Sequence, residues 1–144
     1  MKIAMLCAGV LPFVCAMAQA QTSGANPLAS SRAFLYEQMD VKTAPNGVER
    51  RSVATGTLAT GEIVQVRETM QPAGTPASGL HTIQHSEILV VEQGKLEFNH
   101  DGKTERIGPG GIIYVALGTN HFVKNAGDGP AKYVVIQIGG DTKK

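Results

Sequence analysis

Between residues 81 and 87 the chain sets His81, Ile83, His85 and Glu87 at alternate positions. Read as a β-strand, that spacing puts all four on one face, because successive strand side chains point to opposite sides. Leu89 and Val91 continue the same face, and Ile88 and Val90 make the other face apolar too, so burial is expected. An ionised Glu87 would then sit out of water, at a cost of roughly several kcal/mol unless a positive group meets it. Three answers are open: a metal ion, an arginine such as Arg67, or a proton taken up by Glu87 itself. Histidines two and six residues earlier on the same face favour the metal, since imidazole and carboxylate are common donors to divalent ions. Taken alone, His85 reads more simply as a structural histidine, and Glu87 as the partner of Arg67. His100, in Asn99-His100-Asp101-Gly102, reads as a surface residue of a turn.

The segments that position these residues read as β throughout. Ala33 to Glu37 is expected to form a short edge strand, and Asn46-Gly47 a turn leading into Val48 to Thr57. Glu62 to Met70 alternates, with Val64 and Val66 on one face, and is closed by Gly61 and Pro72. A Pro/Gly/Ser/Thr loop over 71–80 leads to the strand His81 to Glu92. Leu96 and Phe98 alternate with Lys95 and Glu97, Asp101-Gly102 closes a hairpin into Thr104 to Ile107, and Pro109-Gly110-Gly111 turns into Ile112 to Ala116. Two further strands, His121 to Asn125 and Lys132 to Ile138, flank the Asp128-Gly129-Pro130 turn. Eight or nine short strands at this spacing, with no helical periodicity of useful length, indicate a sandwich or barrel.

The N-terminus has a different character. Lys2 precedes an uncharged apolar run over Ile3 to Ala18, and Ala18-Gln19-Ala20 offers the small-x-small pattern of signal-peptide cleavage before Gln21. Residues 1–20 therefore read as an export signal, 21–32 as a mobile leader and 33–144 as the folded domain, with a periplasmic or secreted destination. Removing twenty residues from 144 leaves 124, a normal size for one core. Cys7 and Cys15 leave with the signal, so the mature chain has neither thiol nor disulfide. Loss of Lys2 also balances twelve basic against twelve acidic residues. A near-neutral chain without a basic run argues against nucleic acid or an anionic membrane as partner.

The segment from Gly79 to Gly139 resembles the cupin superfamily. That family's first motif sets two histidines separated by one residue, then three or four residues, a glutamate, six residues and a glycine. His81, Glu87 and Gly94 match it, and Ile83 stands where the second histidine belongs. The second motif is matched by Gly110, Gly118, His121 and Asn125, with Ala116 in place of its proline. The resemblance implies an all-β, single-domain jelly-roll barrel (a double-stranded β-helix) and a homodimer, in which Ala33 to Thr57 would cover a neighbouring sheet edge. It implies a metal held by His81, Glu87 and His121, with Mn, Fe or Zn as the suited ions. His85 would serve as a substitute ligand or as the catalytic acid–base, and Ile83, Arg67 and Met70 would line the pocket. The function expected is an exported cupin that holds a divalent metal and binds or acts on a small oxygen-bearing organic molecule. The alternative is a non-catalytic small-molecule-binding barrel with a metal-free site. Nothing in the residues selects among oxygenation, isomerisation and lyase chemistry.

Overall fold

The computed structural model describes residues 26–140. The export signal expected over 1–20 lies outside the described residues, as do the first residues of the leader. Ten strands are described: β1 (Val41–Thr43), β2 (Glu49–Thr57), β3 (Ile63–Gln71), β4 (His81–Thr82), β5 (Ser86–Gln93), β6 (Leu96–His100), β7 (Lys103–Ile107), β8 (Ile112–Val115), β9 (Asn120–Asn125) and β10 (Ala131–Ile138). They form a six-stranded sheet in the order β1-β2-β3-β10-β5-β8 and a four-stranded sheet in the order β4-β9-β6-β7. Every pairing is antiparallel.

Alternation along the strands decides which side of each sheet is buried. Leu89 and Val91 on β5, Ile113 and Val115 on β8, and Tyr133 and Val135 on β10 point inward from the larger sheet. Leu96 and Phe98 on β6 and Val123 on β9 meet them from the smaller one. The two inner faces thus close one apolar core, in the manner of a jelly roll. The fold is the all-β barrel that the strand spacing called for.

Two glycines explain themselves. Gly94, in the β5–β6 turn, has φ of +78°, and a Cβ there would lie 2.6 Å from the Pro130 carbonyl oxygen. Both the left-handed backbone and the close approach exclude a side chain. Gly118, in the β8–β9 turn, has φ of +83°, and its N–H donates to the Ile83 carbonyl at 3.0 Å. Asn125, the last matched position of the second motif, is buried. It donates to the carbonyls of Gln71 and Gly129 at 3.0 and 2.7 Å and accepts from the Gly127 N–H at 2.9 Å. Its role is to fasten loops to the barrel.

Two expectations need correction. Ala33 to Glu37 is no strand: the segment leads into a 3-10 turn, Tyr36–Gln38, and the first strand begins at Val41. The Tyr36 ring packs under Arg51 and Lys132, so side-chain contacts rather than a ladder hold this stretch. Ahead of it, the Asn26 side chain donates to the Thr57 carbonyl at 2.7 Å and accepts from the Thr57 N–H at 3.2 Å. Second, His81 to Glu92 is not one strand. The ladder breaks over 83–85, and the chain crosses from β4 in the small sheet to β5 in the large one. Parity therefore cannot be counted from His81 through to Glu87. The two residues meet the interior from opposite walls.

Candidate functional site

Glu87 is the second residue of β5 and lies on its inward face, in register with Gln137 on β10 and Val115 on β8. Gln137 is also in register with Gln65 on β3, so a polar row of Gln65, Gln137 and Glu87 crosses the large sheet. Only 9% of the Glu87 side chain is exposed. Its Oε1 accepts from Arg67 Nη2 at 3.3 Å and from His85 Nε2 at 3.1 Å. Arg67 lies on β3, and β10 runs between it and β5. Two strand spacings amount to about 10 Å of backbone separation, a gap that two long side chains reaching toward each other can close. Arg67 Nη1 also donates to Gln65 Oε1 at 3.4 Å, which fixes the plane of the guanidinium.

The opposite wall carries the other imidazoles. β4 pairs with β9 so that His81 faces His121, and their ring centroids are 4.6 Å apart. His121 is buried at 2% exposure, whereas His81 lies exposed at the rim. Each ring donates Nδ1–H to a backbone carbonyl, His81 to Gly79 at 3.2 Å and His121 to Thr119 at 3.3 Å. A carbonyl only accepts, so in the neutral ring Nε2 is left as the lone-pair nitrogen. Burial pushes the His121 imidazole below its usual range; the neighbouring His81 and His85 add to this, while the Thr119 carbonyl and Glu87 oppose it. Tyr133, on β10, closes the floor of the interior. Its hydroxyl accepts from Gln71 Nε2 at 2.9 Å, and burial pushes its pKa up to about 12.

The expected site residues thus fall into two groups. His81 and His121 are brought together, and so are Arg67, Glu87 and His85, but the three-ligand face of His81, Glu87 and His121 is not assembled. Among the described residues no three His, Cys, Asp or Glu side chains are grouped so as to hold a metal ion. Glu87 Oε1 is instead engaged by a guanidinium and an imidazole N–H. Ile83 is part of the apolar core rather than a pocket wall, at 6% exposure. Met70 is three residues from Arg67, an odd separation, and so falls on the outer face of β3 beside Glu68. His100 is not a turn residue. It ends β6 in register with His121, and its ring stacks on Phe98 at 4.4 Å. Its position two residues after Phe98 is the signal that could have placed it, as the same alternation from Tyr133 and Val135 could have placed Gln137.

An imidazole held against a buried carboxylate, with a guanidinium on the same oxygen, can bind polar oxygen atoms and pass a proton. Two antiparallel sheets closed around such a site define a jelly-roll barrel. The family model described as "Cupin domain" matches residues 66–137, and the chain belongs to the cupins. Solved structures agree on the fold. An RmlC-like cupin from Shewanella frigidimarina superposes with a TM-score of 0.64 at 17% identity, covering 77% of this chain and 93% of that one. KdgF from a Halomonas species gives 0.64 at 19% identity, covering 74% and 94%. A predicted oxalate decarboxylase from Thermotoga maritima gives 0.57 at 18% identity, covering 76% and 100%. Comparison with curated protein sequences returns no match.

Proposed function

We propose that this cupin binds a small oxygen-bearing organic molecule between its two sheets, beside Arg67, Glu87 and His121. One observation carries the reading: an ion pair and its imidazole are set into a barrel whose other inward side chains are largely apolar. Replacing a buried ion pair by well-packed hydrocarbon is often neutral or stabilising by about 1–4 kcal/mol, so stability alone gives no reason to keep it. Arg67 retains 27% exposure, which leaves its remaining N–H donors within reach of a ligand. Where the site is catalytic, His85 moves the proton, with Glu87 orienting the ring. The test is a calorimetric screen of hydroxy acids, sugar acids and diketones against the wild type and Arg67→Met. Saturable binding that Arg67→Met abolishes supports the proposal, and no binding from any of the three classes opposes it.

A divalent ion is the second reading, and it draws on the two histidines. Their Nδ1–H groups rest on backbone carbonyls and leave Nε2 as the donor nitrogen, the tautomer that metal-binding imidazoles adopt. With the chain as arranged, however, Oε1 of the Glu87 carboxylate is already taken by Arg67 and His85, so an ion there would have to displace them. Export to the periplasm or beyond belongs to the same proposal, on the strength of the apolar N-terminal run. So does a homodimer. β1 and β8 are the two edges of the larger sheet, and β8 presents Ile112 and Tyr114 outward, each more than 60% exposed. Light scattering of the mature chain distinguishes a dimeric from a monomeric mass.

A further inference from the structure

We propose that Arg67 is the resident counter-ion of Glu87 and takes the place of a metal, so that this barrel works with a protein cation at its centre. This goes beyond the small-molecule reading and does not depend on which ligand binds. Four observations carry it. The Glu87 carboxylate, nearly buried, has its charge met on Oε1 by Arg67 Nη2 at 3.3 Å and by His85 Nε2 at 3.1 Å. Arg67 is itself held by Gln65 at 3.4 Å, so the guanidinium is positioned and not merely nearby. Ile83, a hydrocarbon locked in the core, stands where the motif offers a second histidine, and it supplies no lone pair. Among the described residues no other arrangement of His, Cys, Asp and Glu replaces the missing group.

These features reinforce one another. A divalent ion on Glu87 would stand beside a guanidinium bonded to the same oxygen, and like charges at that separation repel. To admit the ion at that oxygen, Arg67 would have to leave, and with it the bond to Gln65. The two substitutions also act in the same direction: Ile83 removes a donor to the metal, and Arg67 supplies the charge the metal would have brought. An arginine suits that task, being charged at every physiological pH and able to serve several acceptors from one plane.

The experiment uses untagged, mature protein. Metal content is measured by mass spectrometry as purified, and Zn(II) and Mn(II) are titrated calorimetrically into the wild type, Glu87→Gln, Ile83→His and the pair Ile83→His with Arg67→Met. The expected wild type carries far less than one metal per chain and shows no binding that depends on Glu87. The double variant is expected to bind Zn(II) at one per chain, tighter than wild type by roughly a hundredfold or more, the upper end of what changes around metal ligands produce. Ile83→His alone is expected to gain much less, because Arg67 still holds the carboxylate. Stoichiometric metal in the wild type that is lost in Glu87→Gln overturns the proposal. So does a double variant with a wild-type circular dichroism spectrum that still takes up no metal. Should the double variant not fold, the wild type and Glu87→Gln decide the matter between them. A failed ligand screen would count against the small-molecule reading without moving any of these metal measurements.

Discussion

Replacing Arg67 by methionine keeps most of the side-chain length and removes the charge facing Glu87. The carboxylate is 9% exposed, and the same oxygen also accepts from His85 Nε2 at 3.1 Å. Removing one member of a buried pair commonly costs about 3–5 kcal/mol. Arg67 keeps 27% exposure, so some of the field is already screened and a value at or just below the lower end of that range applies, about 2–3 kcal/mol. In a domain of this size that corresponds to a fall in melting temperature of roughly 10 °C. Glu87→Met should cost less, about 1 kcal/mol, because a guanidinium with 27% exposure can turn toward water. The double variant Arg67→Met with Glu87→Met should then be more stable than Arg67→Met alone, giving a coupling energy of about 1.5 kcal/mol or more. Urea unfolding at neutral pH, followed by circular dichroism for all four proteins, measures each value. Additive single effects, or an Arg67→Met variant as stable as wild type, would refute the claim that Arg67 answers the buried charge.

Other consequences are more local. His121 is held neutral by burial, so its folded pKa lies below the usual 6.5; the unfolded chain takes up the proton first, and stability falls as pH drops below that value. His121→Gln should flatten this acid limb in urea unfolding repeated across pH. Tyr133 shows the opposite sign. Its pKa is raised to about 12, so its contribution is complete below pH 10 and is lost between there and 12, and Tyr133→Phe should remove that loss. Gly94→Ala meets the Pro130 carbonyl at 2.6 Å as well as a left-handed backbone, whereas Gly102→Ala meets only the backbone strain. Alanine should cost about 1–2 kcal/mol at Gly102 and clearly more at Gly94; equal unfolding midpoints would contradict this. Asn125→Ala breaks three hydrogen bonds, worth about 1 kcal/mol each, and a loss near 3 kcal/mol is expected in the same assay.

Much of the barrel was readable because each inward position alternates with an outward one and each turn carries glycine, proline or asparagine. The runs through Val64, Phe98, Ile113 and Val135 emerged as strands on that ground alone. What the pattern hid was the crossing at residues 83–85. Thr82 and Ile83 are β-branched, no glycine or proline marks the break, and the chain changes sheets while still looking like a strand. The error mattered at the site, since it placed His81 and Glu87 on one face when they belong to facing walls. Arg67 was visible only as one of three answers to a buried carboxylate. Choosing among them required knowing that β10 lies between β3 and β5, and strand order is not written in local periodicity. Ala33 to Glu37 misled for the converse reason: its Tyr36 is held by cation–ring contacts with Arg51 and Lys132, which no local pattern announces.

The interpretation turns on which cation stands against Glu87, and a crystal structure grown in excess Zn(II) or Mn(II), with anomalous data at the metal edge, observes that directly. The expected map has Arg67 Nη2 still bonded to Glu87 Oε1 and no anomalous peak beside the carboxylate. A peak there, bridging Glu87 to the His121 imidazole with Arg67 swung away, would contradict it.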